Sequence, residues 1–363
     1  MTAAPQARDE RPILVTGGAG FIGSNIAHRL AREGHRVIVY DALVRDGVKR
    51  NLDWLKTNHG DLIDVRVADI RDEAAITDAV QAAQAVFHMA AQVAVTTSLA
   101  DPRDDFAINI AGTLNVLEAA RLSPEAPAVI FASTNKVYGD LADLAFDETA
   151  NGYQPVDPLV NAYGIGESRP LDFHTPYGCS KGAADQYVLD YARSYGVPGA
   201  VLRMSCIYGE RQMGTEDQGW VAHFLIRALE GRAIDIYGDG HQVRDILEVG
   251  DAVDAYLALW SQIDRHAGHV FNLGGGPDNA VSLRMLLTEI EAIVGHSIDL
   301  RFGDWRAGDQ RYFVADRRAA DAALGLGTPA DWRTGLRRLA AWLSAERNLP
   351  LGRSQPPAMK VAV

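Results

Sequence analysis

The strongest constraint on the fold is a glycine-rich turn set between an apolar run and an amphipathic stretch. Ile13-Leu14-Val15 leads into Thr16-Gly17-Gly18-Ala19-Gly20-Phe21-Ile22-Gly23. Ile22, Ile26 and Leu30 then recur every four residues, and Gly34 follows as a helix stop. A second apolar run, Val37-Ile38-Val39-Tyr40, ends in the acid Asp41. Glycines let a backbone turn tightly and approach a pyrophosphate, whose charge rests on free N–H groups and a positive helix end. Gly17, Gly20, Phe21, Ile22 and Gly23 are therefore the expected dinucleotide cradle. The Asp41 carboxylate can accept two ribose hydroxyls and repels a 2′-phosphate, which favours NAD over NADP; Arg45 nearby pulls the other way. A glycine turn without any ligand is the plain alternative. The strand before it, the helix after it and the acid after the second strand together weigh against that.

The rest of the first half repeats this alternation. Candidate strands are Val65-Arg66-Val67, Ala85-Val86-Phe87, Val129-Ile130-Phe131 and Ala200-Val201-Leu202, and Phe106, Ile110, Leu114 and Leu117 mark another helix. Continuous apolar strands alternating with helices predict an α/β fold of the Rossmann type, a doubly wound parallel sheet of about seven strands covered on both faces. At 363 residues the chain exceeds one ordinary domain. The pattern loosens after Tyr208, so a dinucleotide-binding domain is expected over 12–203, with 245–276 returning to its sheet. A smaller α/β substrate domain is expected over 204–244 and 277–349, with flexible tails at 1–11 and 350–363.

A net charge of -12 argues against a sequence-independent nucleic-acid binder, which relies on excess Lys and Arg. No apolar run has the length of a membrane helix, and no signal-peptide core is visible. Two cysteines, Cys179 and Cys206, exclude a disulfide framework and a multi-Cys zinc site and fit a reducing cytoplasm. The histidines show no metal-ligand spacing, so no metal is expected.

Tyr177 and Lys181 form Y-x-x-x-K and share a helix face. The ammonium can stabilise a phenolate, and the phenolate can take an alcohol proton while the carbon gives up hydride. Thr134 follows the fifth strand, where ligands of such sheets bind, and its hydroxyl can share the reacting oxygen. Taken alone it reads as a turn or cap residue. Asp69 and Ile70, after the third strand, are candidates for the adenine edge, although Asp69 also suits a turn. Cys179 lies inside the Tyr177–Lys181 segment and is expected to pack rather than react.

These residues together resemble the extended short-chain dehydrogenase/reductase family of nucleotide-sugar epimerases and dehydratases, over about residues 12–345. The resemblance implies that Thr134, Tyr177 and Lys181 are the catalytic set and that Lys181 bonds the nicotinamide ribose. It adds Ala90, Asn109 and Ser133 to the cofactor set, through His88-Met89-Ala90-Ala91-Gln92 and the helix carrying Gly112-Thr113. His88 itself reads as a satisfied core histidine. It also implies a homodimer or homotetramer through a helix bundle, with 106–122 and 177–195 as the candidate helices.

Dehydratases of the family carry Asp-Glu after the catalytic Thr, and decarboxylating relatives carry an acid at the second of these positions. Here they are Asn135-Lys136, which leaves epimerisation or net dehydrogenation. Asn51–Leu55, Gln92–Ser98, Ser133–Asp140, Leu171–Tyr187, Asp217–Val221 and Asp309–Asp316 resemble the CDP-tyvelose (CDP-paratose) 2-epimerase subgroup. That resemblance implies transient oxidation at C2 of a nucleotide-diphosphate sugar, rotation of the 2-keto sugar, and hydride return from tightly bound NAD. Val95 departs from the subgroup, as does 141–169, which precedes Tyr177 and is expected to border the sugar. Arg244 and Arg311 are candidates for the diphosphate: a guanidinium can grip phosphate with two prongs, charge alone favours surface pairing with Asp245 and Asp309, and the resemblance favours binding. Gln92, Thr96, Ser98, Asn135 and Gln218 are candidates for the sugar or base, or for local hydrogen bonds. A 4-epimerase, a net NAD-dependent dehydrogenase and a non-catalytic NAD sensor are the competing readings.

Overall fold

The computed structural model describes residues 10–306 and 308–351; most of the two expected tails lies outside the described residues. The chain opens with β1 (Ile13–Thr16), α1 (Phe21–Arg32), β2 (Val37–Asp41), α2 (Val48–His59), β3 (Ile63–Val67), α3 (Glu73–Gln81) and β4 (Ala85–His88). Short helices α4 (Val95–Ala100) and α5 (Pro102–Phe106), a π-helical turn (Ala107–Ala111), α6 (Gly112–Arg121) and β5 (Ala128–Thr134) follow. The hairpin β6 (Phe146–Thr149) and β7 (Gly152–Pro155) and α7 (Pro158–Tyr163) precede α8 (Thr175–Tyr195), β8 (Gly199–Met204) and β9 (Cys206–Tyr208). The remainder is α9 (Trp220–Leu229), β10 (Ile234–Tyr237), β11 (Val243–Glu248), α10 (Val249–Ser261), α11 (Ile263–His266), β12 (Val270–Leu273), β13 (Ala280–Ser282), α12 (Leu283–Val294), β14 (Leu300–Gly303), β15 (Tyr312–Phe313), α13 (Arg318–Leu324) and α14 (Trp332–Arg347).

Seven strands form one parallel sheet in the order β12-β8-β5-β4-β1-β2-β3. Strand alternation divides its side chains between two buried layers. Ile13, Val15, Val37 and Val39 face α1 and α10, whereas Leu14, Ile38, Val86 and Val129 face α3, α6 and α8. Each fully buried aliphatic side chain contributes about 1.5–3 kcal/mol, so the paired register is strongly held. The order reverses between β1 and β4, and the crevice beyond the carboxyl ends of these strands is where such folds take ligands.

The C-terminal part packs α9, α12 and α14 around Ile234, Ile236 and Ile246. Its sheet joins β13, β11 and β15, with β9 beside β11. Residues 245–248 stay in this sheet, Asp245 paired with Ala280 and Ile246–Glu248 with Cys206–Tyr208, and the chain rejoins the main sheet through α10 and β12. Among the described residues, no helix is long and apolar enough to cross a membrane.

Candidate active site

A cavity of about 820 Å³ runs from the glycine turn, past the ends of β4 and β5, to β10 and β11. At one end, Gly17 holds φ of 63°, and a Cβ there would lie 2.8 Å from the Ala90 nitrogen. A Cβ on Gly23 would lie 2.2 Å from the Gly17 carbonyl oxygen. Only glycine fits either place, so α1 starts directly against the turn. Its N-cap, Gly20, offers no side-chain acceptor, which leaves first-turn N–H groups for an anion. Asp41, at the end of β2, accepts N–H groups of Ala19 (3.1 Å) and Leu43 (2.8 Å). Burial raises its pKa, and those N–H bonds and the charge of Arg45 oppose the rise. Asp69 pairs with Arg71 at 2.6 Å, and that bond holds its carboxyl below the usual range. Ile70 sits where Gly112 lacks a side chain. Two acids flanking a glycine cradle, with free helix N–H groups between, fit a dinucleotide.

The catalytic candidates meet in the middle. Thr134 ends β5, and its Oγ1 accepts the Lys136 backbone N–H at 3.2 Å. Tyr177 stands in the first turn of α8; burial pushes its pKa up to about 12, Asp105 adds to the rise, and the nearby Thr134 hydroxyl opposes it. Small residues bring α8 this close. A Cβ on Gly178 would lie 3.3 Å from the Lys136 carbonyl, and one on Gly182 only 2.3 Å from the Phe173 ring. Lys181 is buried, with its ammonium 4.2 Å from the centre of the Phe131 ring. Burial lowers its pKa to about 7, against the pull of Asp185 and Asp105. Asp185, one further turn along the same helix face, forms a fully buried two-pronged pair with Arg203 at 2.9 Å and accepts the Ser133 hydroxyl at 2.7 Å. His88 is bonded on both ring nitrogens, to Thr16 (2.7 Å) and Thr113 (3.0 Å), and burial lowers its pKa to about 3. It is a neutral core histidine.

Of the other residues singled out in the sequence, Ala90, Thr96, Ser133, Asn135, Gln218 and Arg244 line the cavity. Arg244 is buried and bonds Asp309 and the Gln310 carbonyl, both at 2.7 Å. Asn135 bonds Gln310 at 3.1 Å. Four candidates are not brought into the lining. The exposed Arg311 lies over the Tyr153 ring, 5.4 Å from its centre, because the adjacent Tyr312 and Phe313 take the buried positions of β15. Gln92 turns its amide to Asp105 and the Ala94 carbonyl. Ser98 accepts the Tyr177 backbone N–H at 3.2 Å and so helps to seat the start of α8. Asn109, in the π-helical turn, ties the Gln92 backbone to Asp105 and to Ser180 of α8. Residues 141–169, expected to border the sugar, pack instead on the C-terminal sheet, through the Tyr153 N–H to the His241 carbonyl and a bridge from Ile165 to Ala315. Cys179, expected to pack, is exposed. The sequence reading passed over Asp185, Lys136 as a cavity residue, and Arg306, which stacks 3.8 Å from the Tyr237 ring centre and pairs with Glu216 at 2.8 Å. For Asp185 a signal existed, since it continues the spacing Tyr177, Lys181, Asp185. Asp140, Asp172 and His174 gather with ligand atoms within 4.8 Å, outside the cavity lining.

A doubly wound sheet, a dinucleotide cradle and a neighbouring Thr-Tyr pair with a lysine one turn on define a nicotinamide-dependent enzyme acting on an alcohol carbon. Residues 13–274 match the NAD dependent epimerase/dehydratase family, and the chain belongs to it. The CDP-paratose 2-epimerase of Salmonella typhi is 41% identical over 92% of this chain and 99% of that relative. A putative UDP-glucose 4-epimerase of Methanocaldococcus jannaschii is 32% identical over 91% of this chain and 98% of its own length. Among solved structures, UDP-glucuronic acid 4-epimerase of Bacillus cereus, in complex with UDP-glucuronic acid and NAD, aligns with a TM-score of 0.79 at 25% identity, covering 92% of this chain and 99% of that one. The chain is thus an NAD-dependent nucleotide-sugar epimerase of this family.

Proposed function

We propose that the chain inverts C2 of a CDP-linked hexose, of the CDP-paratose, CDP-tyvelose or CDP-glucose type, with NAD retained through each turnover. The observation that carries this reading is the Thr134–Tyr177 pair with Asn135-Lys136 beside it, so that the two positions following Thr134 bear no carboxylate. Ring dehydration needs an acid there, whereas oxidation followed by re-reduction of one carbon does not. The 41% identical CDP-paratose 2-epimerase supports both the carbon and the base.

Bound NAD supplies the hydride acceptor and donor. Tyr177 takes the proton of the C2 hydroxyl, and Thr134 hydrogen-bonds the same oxygen. Lys181, one turn on, offsets the phenolate charge, with the charges of Asp105 and Asp185 favouring its ammonium form. The 2-keto sugar turns in the cavity while its diphosphate stays held, and Tyr177 then returns the proton. The reading includes a homodimer or tetramer, supported by exposed Phe106, Leu122, Tyr187 and Tyr195 on the candidate bundle helices, and a cytoplasmic location, supported by two unpaired cysteines.

The test is incubation with CDP-glucose, CDP-paratose and UDP-glucose without added NAD, with products read by NMR. Inversion at C2 of a CDP-sugar is expected. Inversion at C4 would make the enzyme a 4-epimerase. Conversion only when NAD+ is supplied, with NADH accumulating, would make it a net dehydrogenase.

A further inference from the structure

Two residues beyond Thr134 the cavity is lined by a lysine. The Lys136 backbone N–H bonds the Thr134 hydroxyl oxygen at 3.2 Å, which fixes the start of this side chain beside the reacting groups. Its side chain is only 20% exposed. The ammonium donates to the Gly308 carbonyl at 3.0 Å and approaches Asp309 Oδ1 at 3.9 Å. That same oxygen accepts Arg244 at 2.7 Å. Two cations therefore share one carboxylate in a secluded place. Burial first, and the charge of Arg244 next, lower the Lys136 pKa to about 8, so an added anion would relieve both cations. The other Arg and Lys side chains lining the cavity sit elsewhere. Arg45 and Arg71 face Asp41 and Asp69 at the dinucleotide end, Lys181 stands behind Tyr177, and Arg306 pairs with Glu216.

We propose that Lys136 and Arg244 together hold the sugar-linked phosphate of the substrate, and that this anchor beside Thr134 selects C2 as the reacting carbon. The idea rests on the nucleotide-sugar reading and deepens it. C2 is bonded to the anomeric carbon that carries the phosphate. A phosphate held by the residue whose own N–H touches the catalytic hydroxyl leaves the C1–C2 edge of the ring at Thr134 and Tyr177. Reaction at C4 would need that phosphate across the ring from the same pair.

The experiment compares wild type, Lys136→Met and Lys136→Arg, each loaded with NAD, for calorimetric binding of CDP and of CMP, which lacks the second phosphate. In Lys136→Met, CDP affinity is expected to fall by about 10-fold or more, as for loss of one charge-assisted contact, while CMP affinity stays within about 2-fold. Lys136→Arg should recover most of the CDP affinity. Equal losses for CDP and CMP, or no loss, would overturn the phosphate contact. Product analysis with CDP-glucose tests the second half. The ratio of C2-inverted to C4-inverted sugar should drop in Lys136→Met, and an unchanged ratio would overturn the role in choosing the carbon. A wild-type protein that binds CDP through Lys136 but inverts neither carbon would count against the functional reading alone.

Discussion

Replacing Asp185 with Asn should both unfold the protein more easily and shift its pH response. The Asp185 and Arg203 side chains are 0% and 4% exposed, and both prongs of their pair measure 2.9 Å. Arg203 also reaches the Tyr138 hydroxyl at 3.0 Å, and Ser133 donates to Asp185. Asparagine keeps the shape but leaves a buried guanidinium without its counter-charge. Breaking a buried pair from one side costs about 3–5 kcal/mol, a large share of the roughly 5–15 kcal/mol that holds a typical fold. Chemical denaturation of the NAD-loaded protein measures it. Because the cost is an unpaired charge, removing the partner as well (Asp185→Leu with Arg203→Met) should recover most of the loss. The second effect falls on Lys181. Asp185 raises its pKa, so the Asn variant lowers it further below about 7, and activity that needs the ammonium is lost at a lower pH than in wild type. A variant within about 1 kcal/mol of wild type would refute the reasoning, because leaving one partner of a buried pair uncompensated costs about 3–5 kcal/mol.

Tyr177→Phe should lower the turnover rate by about 10²–10⁴-fold, the usual worth of a general base, with bound NAD content unchanged. Gly17→Ala should lose bound NAD, measured by the nucleotide released on denaturation. The new Cβ meets backbone at 2.8 Å, and the positive φ adds about 1–2 kcal/mol of strain. Acid should weaken the fold through His88. Its folded pKa of about 3 lies below the unfolded value of 6.5, so the unfolded chain takes up the proton more readily. Its stabilising contribution is whole above pH 6.5 and is lost as pH falls towards 3, with about 2 kcal/mol gone by pH 5. Unfolding curves at pH 7 and pH 5 check this: the drop in stability should be smaller in His88→Asn than in wild type by about 2 kcal/mol.

The parts legible in the sequence are those written in short spacing. The glycine turn, the acid at the end of β2 and the Tyr177–Lys181 step are local patterns on single elements, and the apolar strands announce a sheet covered on both faces. What the sequence left dark depends on distant partners. Arg244 and Lys136 meet at Asp309 only because β11 and residues 308–310 fold over the end of β5. Ser98, a candidate for the sugar or for a local hydrogen bond, and Asn109, a candidate for the cofactor, are both consumed by backbone and side-chain bonds that seat α8. Arg311 was placed by resemblance, and strand alternation beside the buried Tyr312 would have turned it outward. Cys179 is two residues from Tyr177, so a helix carries it to the opposite side, away from the cavity.

The central claim is that one carbon, C2, gives up its hydride and receives it back within the same protein. CDP-glucose deuterated at C2, incubated in ordinary water without added NAD, tests it most directly. The account predicts the C2-inverted sugar with the deuterium still on C2. Deuterium lost to solvent, or inversion at a carbon that never carried it, would contradict the account.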